Sequence, residues 1–153
     1  MAEPNVGDKA PDFSLKSSSG DAVSLSEFRG KRNVLVAFFP LAFTGVCTKE
    51  NCAFSEDYSR FEGKDTEVLP ISVDATPSLS EFRAKHAMKH HLLSDFKREA
   101  GRAFGVLDEE KFFTKRAYFL VDKQGVVRWK HVEPELAMSR ANEELLAEID
   151  KVR

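Results

Sequence analysis

The chain has 153 residues, of which 42% are apolar and 31% charged. That is about one domain's worth of sequence with enough apolar content for a packed core, which excludes a disordered chain and removes any need for a disulfide or metal scaffold. Its 23 basic and 25 acidic residues leave a net charge of −2, so no basic excess marks a nucleic-acid or membrane-surface partner. Met1 to Lys9 is polar and lacks an apolar stretch, so it reads as no secretory signal. Phe13 to Leu15 and Ala22 to Leu25 flank the turn residues Ser17-Ser18-Ser19-Gly20-Asp21 and predict an N-terminal β-hairpin. Asn33 to Phe39 is a continuous apolar run closed by Pro40, as expected of a strand buried on both faces. Its apolar part, Val34 to Phe39, is six residues long, against the roughly 20 of a membrane-spanning helix.

From Thr44 to Phe61 the period changes. Cys47, Phe54, Tyr58 and Phe61 share one face of a helix. Val68 to Val73 predicts a second buried strand. Thr76-Pro77 opens a helix to about Met88, with Thr76 as the cap and Pro77 at the first helical position. Leu92 to Asp95 reads as a short extended segment, and Lys97 to Phe104 as a short helix ended by Gly105. Ala117 to Val121 and Val126 to Val132 form a second hairpin around Asp122 to Gly125. Ser139 is expected to cap a last helix carrying Leu145, Leu146, Ile149 and Val152 on one face. Alternating strands and helices, closed by an antiparallel pair, predict an α/β fold: a thioredoxin-like mixed central sheet with helices on both faces, in one domain over residues 1–153. Ligands of such folds sit beyond the carboxyl ends of parallel strands, where Pro40 to Cys47 falls.

The two cysteines, Cys47 and Cys52, are five positions apart, too few for a secreted disulfide framework. They point to a cytoplasmic chain. Cys47 lies in the first turn of a helix that follows a buried strand. The free amide groups and positive end of the helix favour its thiolate, the reactive form, and a partly exposed position is expected. Thr44 is a candidate N-cap whose hydroxyl could face the sulfur. Both cysteines could equally be small buried apolar residues. A zinc site lacks a Cys-x-x-Cys. His86, His90 and His91 have part of a metal-binding spacing, but more often form a solvated helix end, so no metal is expected.

At this segment the sequence resembles the peroxiredoxin superfamily of thiol peroxidases. The family pattern Pro-x-x-x-Thr-x-x-Cys is matched by Pro40, Thr44 and Cys47. Ala10 to Phe13, Val34 to Phe39, and Phe119 to Asp122 preceded by Arg116 are similar to other family segments. Phe38 to Gly45 is most similar to the alkyl-hydroperoxidase E branch. Cys52 stands where the bacterioferritin-comigratory (PrxQ) branch has its resolving cysteine, although Thr44-Gly45-Val46-Cys47 replaces that branch's Thr-Pro-Gly-Cys.

The resemblance implies a thioredoxin-like fold and reduction of hydrogen peroxide and organic hydroperoxides without a cofactor. Cys47 would attack the peroxide and become a sulfenic acid. Thr44 would bond the peroxide, Arg116 would stabilise the charge, and Pro40 would shield the intermediate. Cys52 would resolve it as an intramolecular disulfide, reduced by a thioredoxin-like or low-molecular-weight thiol. Glu50 either orients an arginine or is a helix-face charge. A homodimer is expected to bury Leu41, Ala42 and Phe43. The alternatives are a peroxide-sensing thiol switch and a thiol-disulfide oxidoreductase on the same fold, the latter disfavoured without Cys-x-x-Cys. Residues five apart on a helix are separated by about 7.5 Å along the axis and about 140° around it, which puts their Cα atoms roughly 8.7 Å apart. A disulfide usually requires about 4.4–6.8 Å, so the helix must unwind before Cys47 and Cys52 can bond.

Overall fold

A computed structural model describes residues 3–152. Met1 and Ala2, which open the stretch read as no secretory signal, and Arg153 lie outside the described residues. The N-terminal hairpin forms from β1 (Ser14–Ser17) and β2 (Ala22–Ser24), turning at Gly20, whose φ of +93° suits a residue without a Cβ. Then follow β3 (Asn33–Phe38), α1 (Gly45–Glu56), α2 (Tyr58–Glu62), β4 (Thr66–Ser72), α3 (Thr76–Lys85), β5 (Leu93–Ser94) and α4 (Glu99–Ala103). A small ribbon of β6 (Leu107–Asp108) and β7 (Phe113–Thr114) precedes β8 (Ala117–Val121), β9 (Val127–Val132) and α5 (Asn142–Asp150).

Among the described residues the main sheet has seven strands in the order β2-β1-β5-β4-β3-β8-β9. β3 runs parallel to β4 and antiparallel to β8, so the sheet is mixed. Side chains alternate across a strand, and β3 shows both results. Val34, Val36 and Phe38 enter one core with Phe104 and Phe119. Leu35 and Ala37 enter another with Phe54, Phe61, Leu145, Leu146 and Ile149 from α1, α2 and α5. With both faces covered, every residue of β3 is buried, which accounts for the apolar run from Val34 onward. Beyond the end of β3, Phe39, Ala42 and Cys47 join Leu79 and Phe82 of α3 in a third cluster.

Several boundaries differ from the sequence expectations. The helix over Thr44 to Phe61 is two helices, broken at Asp57. There the Asn142 amide donates to both the Ala53 carbonyl and the Asp57 carboxylate, each at 2.9 Å, docking the start of α5 onto the break. Of the four residues expected on one face, Phe54 and Phe61 still meet in one cluster, with ring centroids 6.1 Å apart, whereas Cys47 joins the third cluster and Tyr58 neither. α3 begins at Thr76, with Ala75 as its cap, and stops at Lys85; Ala87, at φ +49°, turns the chain so that Met88 folds back into the core. α4 is shorter than Lys97 to Phe104. The Asp95 carboxylate accepts from the Ala100 and Gly101 amides at 3.0 and 2.7 Å, and Arg98 takes a left-handed φ of +62°. Ser139 caps nothing: α5 starts at Asn142 after Ala141, because Arg140 and Asn142 are the residues tied to the body of the protein.

Candidate active site

β3 delivers the chain to Pro40, which is buried, at the carboxyl end of the parallel strands. The loop that follows is held by Asp74, whose carboxylate accepts from the Ala42 amide at 2.8 Å and from the Ser72 hydroxyl at 2.7 Å. Phe43 takes a left-handed φ of +66°, a strained choice for an aromatic residue. Its ring lies 4.9 Å from that of Phe82, yet it stays half exposed. Thr44 has the extended backbone of an N-cap, and α1 starts at the next residue. Its hydroxyl does not face the sulfur; it donates to the Leu41 carbonyl at 2.7 Å.

Cys47 is in the first turn of α1, where amide groups have no acceptor within the helix. It is 1% exposed rather than partly exposed, and it sits at the base of a cleft of about 280 Å³. The cleft wall is mostly apolar, from Pro40, Leu41, Val46, Phe113, Leu136 and Ala137, with Thr44 at the rim and Arg116 at the floor. Arg116 immediately precedes β8 and is 2% exposed, so it is no surface arginine. Its Nη2 donates to the Cys47 sulfur at 3.1 Å, and its Nη1 donates to Glu50 Oε1 at 2.8 Å. The Leu136 carbonyl accepts from Nη2 at 3.2 Å and from Nε at 3.4 Å, which fixes the plane of the guanidinium.

Glu50 lies one turn after Cys47 and is buried, so of its two readings the structure selects the arginine partner. The Tyr118 hydroxyl donates to its second oxygen. Burial holds the Glu50 carboxyl above the usual carboxylate range, while Arg116 and Tyr118 pull the other way. Burial also raises Tyr118, and the neighbouring carboxylate adds to it.

Cys52 lies on the same intact helix, is half-buried against the third cluster, and like Cys47 is a free thiol. Burial and then Glu56 push its thiol up. Between the two cysteines, the Asn51 side chain donates to the Cys47 carbonyl at 3.0 Å and meets His90 Nε2 at 3.3 Å. The three histidines diverge: His86 packs on Phe82, His90 is buried beside Asn51, and His91 bonds Ser18. Among the described residues no His, Cys, Asp or Glu group of three is placed to hold a metal.

Sequence reasoning missed Tyr118, Leu136 and Phe113. Tyr118 was detectable in principle, because two residues after Arg116 on a strand is the same face. Leu136 acts through its backbone carbonyl and leaves no signal in the sequence.

A cysteine at a helix start, with an arginine on its sulfur at the end of a mixed sheet, is the arrangement of a thiol-dependent peroxidase on the thioredoxin-like fold. Known proteins bear this out. Over residues 6–130 the sequence matches the profile of the AhpC/TSA family, and the chain belongs to that family. It is 37% identical over 131 residues to alkyl hydroperoxide reductase E of Mycobacterium tuberculosis, covering 84% of this chain and 86% of the relative. A chain from Oryza sativa subsp. indica, described as a chloroplastic peroxiredoxin Q, is 40% identical over 124 residues, 80% of this chain and 57% of its own length. The crystal structure of the reduced 2-Cys peroxiredoxin of Plasmodium vivax superposes with a TM-score of 0.88 at 33% identity, over 96% of this chain and 81% of that one. The protein is accordingly a peroxiredoxin, an oxidoreductase that consumes peroxide through a thiol. Among its described residues no helix is long and apolar enough to cross a membrane.

Proposed function

We propose that Cys47 is the peroxide-attacking residue of a two-cysteine cycle acting on hydrogen peroxide and organic hydroperoxides. The observation that carries this reading is the Arg116 Nη2 contact at 3.1 Å from the Cys47 sulfur, at the foot of the cleft. The thiolate attacks the terminal peroxide oxygen. An S–O bond forms as the O–O bond breaks, and the departing oxygen takes a proton to leave as water or an alcohol. Arg116 offsets the charge on the sulfur and on the separating oxygens. Pro40 shields the sulfenic acid from water. Thr44 can donate to the peroxide only by turning its hydroxyl away from the Leu41 carbonyl, and otherwise accepts from it. The apolar wall supports organic hydroperoxides as substrates.

In the second half of the cycle, Cys52 attacks the Cys47 sulfenic sulfur, water leaves, and a disulfide forms. An external dithiol of thioredoxin type, or two low-molecular-weight thiols, then reduces it. The shared helix and the raised Cys52 thiol support a closed state in which resolution waits for α1 to unwind. We assign the whole chain to one domain, acting in the cytoplasm as a homodimer. Phe43 at 50% exposure and Leu136 at 36%, both near the cleft, support that association, although Ala42 is buried within the subunit.

The direct test is Cys47→Ser, assayed for peroxide consumption with a thioredoxin-type donor. A serine hydroxyl is a far weaker nucleophile at neutral pH, so turnover should vanish. Activity at the wild-type level would overturn the assignment.

A further inference from the structure

Tyr118 lies two residues after Arg116, so the pleat of β8 turns both side chains toward α1. It is fully buried in the cluster that holds Leu35, Ala37 and Phe54, a site a phenylalanine would fill equally well. The hydroxyl is therefore what remains to be explained. It has two partners: the Arg140 amide, at 3.0 Å, and Glu50 Oε2. A backbone N–H can only donate, so the phenol accepts from Arg140 and its single hydrogen goes to the carboxylate. Glu50 thus has one oxygen on Arg116 and the other on Tyr118.

We propose that Tyr118 is a positioning residue of the peroxide-reducing site, acting through Glu50 to hold the Arg116 guanidinium on the Cys47 sulfur. The proposal rests on Cys47 being the residue that attacks peroxide. An ionised Glu50 satisfies every partner in the chain. A protonated one still offers the phenol a lone pair, but its added hydrogen competes with a donor already aimed at one of the two oxygens, and the lost charge weakens the grip on Arg116. The other charged or titratable groups that face Glu50 are Cys47 on its own helix, Arg116 on the strand side, and Glu133 after β9, whose charge raises the Glu50 carboxyl. Arg140, before α5, spends its guanidinium on Glu133 at 2.9 Å and Glu144 at 3.4 Å. In Tyr118→Phe, Oε2 keeps its burial and loses its donor, so Glu50 takes up a proton at higher pH and Arg116 is released earlier as the pH falls.

The test follows Cys47 thiol loss after mixing with hydrogen peroxide, by rapid quench, alkylation and mass spectrometry, across pH 4.5 to 8. It uses the intact protein, Tyr118→Phe, Glu50→Gln and the double variant. The acid limb of the Tyr118→Phe profile should move up by about one pH unit, equivalent to about tenfold slower oxidation on that limb. In the Glu50→Gln background, Tyr118→Phe should add little, because the hydroxyl acts through the carboxylate. An unmoved acid limb, or an equal loss in both backgrounds, overturns the proposal. If Glu50→Gln does not fold, the limb of the single Tyr118→Phe variant decides alone. Wild-type protein whose Cys47 resists peroxide would instead refute the underlying reading, and this proposal with it.

Discussion

Arg116 meets the Cys47 sulfur, the Glu50 carboxylate and the Leu136 carbonyl, and a rigid fork of donors can serve all three acceptors at once. Arg116→Ala should slow Cys47 oxidation by roughly 10²–10³-fold, the cost of deleting a donor aimed at developing charge. It should also cost about 3–5 kcal/mol of stability, because Glu50 is left buried without its cation. Arg116→Lys should recover only part of the rate. Rapid-mixing kinetics with urea unfolding would measure both, and an alanine variant as fast as wild type would remove the residue from the site. His90 gives the residue scale a pH dependence. It is 1% exposed, and burial, aided by Arg83 and His91, lowers it from 6.5 to about 3. A histidine lowered by folding binds its proton more readily when unfolded. The stability it supports is whole above pH 6.5 and drains away as the pH falls toward 3. Between pH 7 and pH 4 the wild type should lose roughly 3 kcal/mol more than His90→Gln, which keeps a donor for Asn51 but does not titrate. Parallel urea curves for the two proteins would sink this.

At the scale of elements, α1 would, on the proposed cycle, both carry the chemistry and restrain it. Its first turn presents Cys47, its second turns Glu50 toward Arg116, and Cys52 packs against the third cluster, which also holds Cys47. Closing a disulfide requires roughly Val46 to Ala53 to unwind, which breaks the Asn51 bond to the Cys47 carbonyl. On the proposed two-cysteine cycle, a Cys47 sulfenic acid would persist while α1 stays closed, and excess peroxide would carry it to sulfinic acid. Cys52→Ser should keep a wild-type first oxidation, accumulate sulfenic and sulfinic forms by intact mass, and require added thiol to turn over. Recycling at the wild-type rate with the same donor would make the protein a one-cysteine enzyme.

For the whole molecule, the open question with a direct readout is association. Phe43 holds a left-handed backbone to place its ring over Phe82, with Lys85 Nζ 6.0 Å from the centroid, and half of it still faces solvent. An exposed aromatic residue in a strained loop beside the cleft suits a surface covered by a second copy. Sedimentation at micromolar concentration should show a dimer, and Phe43→Glu should shift it toward monomer. A wild-type monomer under those conditions would end the dimer proposal.

Much of this architecture was legible in the sequence because burial writes itself into periodicity. β3 is apolar from Val34 to Phe38 because helices cover both faces of its sheet, and the hairpins announce themselves through short polar turns around glycine. Thr44 and Cys47 stood out from their place at a helix start and Pro40 from closing a strand, Arg116 only from the resemblance, and all four border one cleft. The break at Asp57 was not legible, since it depends on Asn142, 85 residues away, reaching two groups at the end of α1. Nor was the direction of the Thr44 hydroxyl, which follows a local carbonyl rather than the sulfur. Glu50 could be read as a solvated charge until a buried arginine 66 residues later was brought against it, and Tyr118 had no role until both stood beside it. Local pattern is determined by which faces are buried, and that much a sequence carries by itself. Which polar groups share a buried site depends on long-range register, and only the tertiary structure decides it.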